Sequence, residues 1–152
     1  MVWNDKVRAL GIAGESRGEI YNIIFRRCTV LHSLADWAAE VGALCVVLCD
    51  AGTVHDIVFE QIDVLDERAN GINCMLFRDR WSTDTQAGHI RAVCFRDITL
   101  PKNVPVRLWG YDAAHRVRIS CCRMCIWKRR RPWLDSNVYT SEIQVRGTRQ
   151  NE

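Results

Sequence analysis

Apolar residues recur along this chain at fixed offsets. Around Phe25 they stand at Ile20, Ile23, Cys28 and Val30; around Phe59 at Val54, Ile57, Ile62 and Val64; around Phe95 at Ile90, Val93, Ile98 and Leu100. A weaker fourth copy centres on Cys121, with Ile119, Met124 and Ile126. The two-residue step into each Phe is that of a half-buried strand. The three-residue step out of it predicts a bend after the Phe and a second short strand beyond. The centres lie 34, 36 and 26 residues apart (59−25, 95−59, 121−95). A repeat of this size predicts supersecondary units stacked side by side, with equivalent side chains in register about 4.8 Å apart. A short coil takes roughly 20–25 residues, so the surplus is expected in loops.

Other local signals add detail. Ser33, Asp36 and the run to Glu40 have the composition and capping pattern of a helix, so a short helix near residues 33–44 is an expectation beside the strands. Asn70-Gly71 is the single Asn-Gly pair, and that scarcity of hairpin turns favours parallel stacking over a meander. The fold class expected is therefore all-β: a short right-handed parallel β-helix, or solenoid, of about five coils over residues 1–127. Residues 128–152 should be a basic loop, a partial strand and a loose tail.

The 152 residues make one domain's worth of chain, and a formal charge of +3 does not demand a polyanionic partner. No apolar run reaches the length of a membrane-spanning helix, so no membrane partner is expected. Met1 to Lys6 lacks a signal-peptide pattern. Eight cysteines stand at 28, 45, 49, 74, 94, 121, 122 and 125. Cys28 and Cys121 fall on core positions of the repeat, and buried thiols in a reducing, cytoplasmic compartment are the simplest reading. Cys45 and Cys49, and Cys122 and Cys125, have the spacing of zinc half-sites. Cys45 to Cys49 lies in an apolar strand-like run whose alternate residues face opposite sides, so no metal and no cofactor is expected.

Four stretches carry a family resemblance: Trp3 to Ile12, the repeat strands themselves, Arg78 to Asp84 with Gly88 to Arg91, and Arg107 to His115. Together they resemble the C-terminal coils of right-handed parallel β-helix proteins of the pectin-lyase-like superfold, in particular the glycoside hydrolase family 28-like, polygalacturonase-like group. The resemblance implies a carbohydrate-active protein, or a truncated relic of one. The Asn-x-Asp, Asp-Asp and Gly-His-Gly motifs of polygalacturonases are absent; Gly88-His89 keeps two residues of the last.

Glycoside hydrolysis needs two carboxyl groups about 5–5.5 Å or 6.5–9.5 Å apart, and steps of one or two coils match those separations. Asp5, Asp36 and Glu40 are the expected acid and base. Sugars also need aromatic platforms beside planar polar groups. Trp37, Arg80 and Trp81, with the loop-borne carboxylates Asp79 and Asp84, form the expected substrate-binding group. His32 is placed to orient Asp36, while His89 and His115 are expected to bridge loops. An oligo- or polysaccharide is thus the expected partner, whether the chain hydrolyses it or only binds it. Self-association through open ends of the stack is expected as well. Lys128 to Arg131 is the one basic run, and nucleic acid is the least favoured partner.

Overall fold

In the computed structural model of the chain, residues 1–34, 41–101, 104–126, 134–141 and 145–147 are described. Among them there is no helix. The strands run β1 (Val2–Asn4), β2 (Leu10–Gly14), β3 (Glu19–Ser33), β4 (Leu44–Leu48), β5 (Thr53–Val64) and β6 (Ile72–Leu76). They continue as β7 (His89–Leu100), β8 (Val106–Trp109), β9 (Val117–Ile126), β10 (Leu134–Ser136), β11 (Thr140–Ser141) and β12 (Val145–Gly147). From β1 to β11 the chain alternates between two sheets, and β12 joins the same sheet as β11. One has the order β1-β3-β5-β7-β9-β11, with β12 also on β9; the other has the order β10-β8-β6-β4-β2. Every pairing is parallel.

The repeat fixes the register of the long strands. Phe25 pairs with Phe59 and Phe59 with Phe95, and the rings stack at centroid distances of 4.8 and 5.1 Å. Ile23, Ile57, Val93 and Ile119 form a second column; Cys28, Ile62 and Ile98 form a third. The bend expected after each Phe is present. Arg27, Gln61 and Asp97 hold φ of 52, 54 and 55°, left-handed values that are uncommon away from glycine. A second column of such residues, Asn22, Asp56 and Ala92, precedes each Phe at φ of 57, 55 and 52°. It falls inside the three-residue step from Ile20 to Ile23, so the same spacing rule marks it.

The fourth copy is centred one residue later than expected. Phe95 pairs with Cys122, not Cys121. The register slips between Val93 and Cys94 and again between Arg96 and Ile98, so an extra residue before the centre is offset by a missing one after it. Cys122 is therefore the buried member of the Phe column. Cys121 lies beside Cys94, off the core, and the two form a disulfide. That corrects both the core position given to Cys121 and the expectation of thiols throughout. Cys28, Cys45, Cys49, Cys74 and Cys122 remain thiols.

The strands of the second sheet are short and buried end to end, as in β4 and β6, where every residue is buried. Such strands read as continuous apolar runs because both faces are covered. Leu44, Val46 and Leu48 face the main core; Cys45 and Val47 join Met75, Ala13 and Phe77 in a smaller cluster on the other side. Gly71 does not form a hairpin. It sits at φ of 80° in the turn between β5 and β6, where a Cβ would run into the Pro105 carbonyl. The expected helix near 33–44 falls largely outside the described residues: Ser33 closes β3 and Leu44 opens β4.

Candidate functional site

Two sets of turns join the sheets, one at each end of the long strands. One set follows β1, β3 and β5 and carries Asp5, Asp66 and Arg68, with His32 beside it at the end of β3. The other follows β2, β4 and β6 and carries Arg17, Asp50, Asp79, Arg80, Trp81 and Asp84. The expected acid Asp5 and the expected sugar-holding loop thus lie at opposite ends of the long strands and do not share a site. Asp36, Trp37 and Glu40 lie outside the described residues.

The first set is tightly organised. Asn4 Oδ1 accepts the Lys6 and Val7 N–H groups (3.0 and 3.1 Å), and its amide donates to the Arg8 carbonyl (3.3 Å). This side-chain turn ends β1 and presents Asp5. The Trp3 indole N–H donates to Asp5 Oδ1 (3.0 Å), and the Trp3 ring lies 4.7 Å from that of His32. Trp3 stays 66 % exposed despite both contacts. His32, buried at the end of β3, faces two carboxylates: Nε2 is 2.9 Å from Asp5 Oδ1 and Nδ1 is 2.6 Å from Asp66 Oδ2.

Asp66 is buried and fully engaged. Its Oδ2 also accepts the Ser33 N–H (3.2 Å), and its Oδ1 accepts the N–H (3.0 Å) and Nε (3.3 Å) of Arg68. Burial is the largest influence on its pKa and pushes upward. The Arg68 and Ser33 N–H groups and the Arg68 guanidinium together outweigh it and hold the carboxyl below its usual range. Asp5 and Arg68 are exposed. The result is an exposed indole bonded to the exposed Asp5 carboxylate, and an exposed Arg68 guanidinium held on buried Asp66 and 3.2 Å from Nδ1 of the buried His32.

Asp66, Arg68 and the contacts of His32 with Asp5 and Asp66 were missed by the sequence reading; Asp36, which it set near His32, lies outside the described residues. A signal was present. His32 and Asp66 occupy the same place in successive copies, seven residues after Phe25 and Phe59. Strand stacking brings residues of equal phase together.

At the other end, buried Asp50 organises the long turn from Phe77 to Gly88. Its Oδ1 accepts the Thr83 and Asp84 N–H groups (2.7 and 2.9 Å), and its Oδ2 accepts the Thr83 hydroxyl (2.8 Å). Asp84 in turn accepts the Ala51 N–H (2.9 Å), and Arg17 Nε lies 3.4 and 3.5 Å from Asp84 and Asp50. The Asp84 N–H, the Thr83 donors and the Arg17 charge outweigh burial and lower the Asp50 pKa to about 2. Asp79 caps the turn through the Trp81 N–H (2.7 Å), and the Arg80 guanidinium lies 4.8 Å over the exposed Trp81 ring. Asp79 and Asp84 therefore hold backbone, while Arg80 and Trp81 face outward. Cys49 lies by this turn; burial, the largest influence, pushes its thiol up against a lowering contact from Ser82.

On the outer face of the long strands, His55 has both ring nitrogens on carboxylates, Nδ1 on Asp56 (2.6 Å) and Nε2 on Glu19 (2.9 Å), and Tyr21 stacks on it at 5.2 Å. Those two carboxylates, Asp56 first, raise its pKa. His89 and His115 stack on each other at 5.0 Å, and His115 Nδ1 faces Asp112. Among the described residues no group of three or more His, Cys, Asp or Glu could hold a metal ion. No family model, curated protein or solved structure matches the chain.

Proposed function

We propose that the chain is a short parallel β-solenoid that binds carbohydrate without cleaving it, through Trp3, Asp5 and Arg68. Alternation between two parallel sheets, together with the strong right-handed preference of parallel crossovers, supports stacked right-handed coils. The observation that carries the binding reading is Trp3, an indole pinned by Asp5 and His32 yet 66 % exposed. A fixed aromatic face beside a carboxylate and a guanidinium suits a sugar, whose C–H face packs on the ring while its hydroxyls take the polar groups. Asp66 is buried with both oxygens on protein donors, which leaves Asp5, with its side chain 66 % exposed, as the solvent-accessible carboxylate of the cluster. Hydrolysis needs two.

The rival reading, a polygalacturonase-like hydrolase, draws support from the Asp66–His32–Asp5 chain, which links an exposed carboxylate to a buried one through an imidazole. Titration of a panel of neutral and uronate oligosaccharides, followed by tryptophan fluorescence, separates the two. Binding that is lost in Trp3→Ala, with no reducing ends released, is the expected result. Binding unchanged in Trp3→Ala sinks the proposal. Turnover abolished by Asp5→Asn selects the hydrolase.

A further inference from the structure

We infer that the first long strand, β3, docks a second copy of this chain head to head through the edge that no described strand covers. Among the described residues β1 pairs with β3 at Val30, His32 and Ser33, so Glu19 to Thr29 have a strand partner on the β5 side alone. The core columns are open there. Ile20, Ile23, Phe25 and Cys28 are half-buried, while their partners Val54, Ile57, Phe59 and Ile62 are fully buried. Tyr21 and Ile24 are 52 and 55 % exposed on the outer face. An edge of this length with apolar residues on both faces is a template for strand addition.

The order of residues along β3 selects a second copy as the occupant. Antiparallel pairing about a two-fold axis between Asn22 and Ile23 sets Glu19 opposite Arg26, Ile20 opposite Phe25 and Tyr21 opposite Ile24. Glu19, Tyr21, Ile24 and Arg26 are exposed; Ile20 and Phe25 are half-buried toward the core. Each of these three pairs joins like faces, as directly opposed antiparallel residues must. The charges at the two ends oppose one another with complementary sign; at the axis Asn22, whose left-handed φ interrupts the alternation of faces, stands opposite Ile23 of the second copy. An isologous contact of this kind closes as a dimer. A head-to-tail contact has less to offer. β9, at the other end, is already paired along its outer side by β11 at Val117 and Arg118 and by β12 from Cys122 to Met124.

The test is light scattering behind size exclusion across a concentration series of the full chain, with three variants. Wild type should be a closed dimer in equilibrium with monomer. Glu19→Arg and Arg26→Glu, each of which creates like-charge pairs across the axis, should weaken it by about tenfold or more; the double reversal should restore it. Circular dichroism on each variant separates loss of the dimer from loss of the fold, because Glu19 also holds His55 and Arg26 holds Glu60. A monomer at all concentrations overturns the inference. So does open-ended growth, or a dimer in which folded Glu19→Arg and Arg26→Glu chains associate like wild type. The sugar titration is independent of this outcome, since neither residue belongs to the Trp3 cluster.

Discussion

The two ends of the stack are built from the same repeat and finished differently. On the β1 side, the Phe column stops at Phe25, half-buried and, among the described residues, without a strand beyond it. At the far end it stops at Cys122, 2 % exposed, where β11 and β12 add two short strands to its sheet and β10 adds one to the other. A small side chain closes the covered end, and a ring stands at the open one. An aromatic residue contributes in proportion to the area it loses to the interior, so the same residue type is worth different amounts on the two rungs.

Phe59→Ala should break this comparison most severely. Phe59 is fully buried between two rings, and its loss should cost about 3–5 kcal/mol. Phe25→Ala touches one ring and leaves a site already open, so its cost should stay below about 3 kcal/mol in dilute solution. Denaturant melts of both variants check the ordering. If Phe25→Ala proves as costly as Phe59→Ala at low protein concentration, the end is not open in solution. If its cost grows with concentration, the second copy is what covers it.

Asp50 offers the next largest effect, at the turns that follow β2, β4 and β6. It takes three donors from the 77–88 turn, and Gly52 and Gly88 are needed there because a Cβ on either would strike the backbone of the preceding turn. Asp50→Ala leaves those donors without their acceptor and should expose the turn to proteolysis. The depressed pKa gives a pH signature. The group's stabilisation is complete above about 3.8, its ordinary value, and is lost as the pH falls toward about 2. Wild type should therefore lose stability in that window more steeply than Asp50→Ala. Equal acid slopes in the two proteins would mean that Asp50 is not held as its contacts require.

The repeat made the long strands legible: the 34- and 36-residue offsets are the structural registers of β3 on β5 and β5 on β7 at the Phe column. It failed by one residue in β9, where paired slips on either side of the centre keep the apolar pattern while changing which cysteine faces inward. The site was less legible. Asp5 was singled out because it follows a Trp-Asn pair. Asp66 was not, because pairing of unlike residues at one phase, His32 on one rung and Asp66 on the next, leaves no repeated letter to notice. Polar partners across rungs complement each other, whereas core partners match.

That rule extends to the smallest expected effect, at His55. Here too the partners are unlike: Glu19 from the open rung and Asp56 from its own strand flank one imidazole, while His115, toward the covered end, faces the single carboxylate Asp112. Two carboxylates favour the charged ring and raise the His55 pKa above its ordinary 6.5. A raised value means that this group's stabilisation is complete below about 6.5 and is lost as the pH rises through the folded value. Denaturant midpoints at pH 6 and pH 8.5, taken at concentrations where the chain is monomeric, should differ slightly in wild type, with the lower pH more stable. His55→Gln should remove that part of the slope, since glutamine can bond one carboxylate but cannot gain a charge. A variant with the wild-type slope would move the pH dependence elsewhere. It would also mean that Glu19 is not engaged by His55 and is wholly free to meet Arg26 of a second copy.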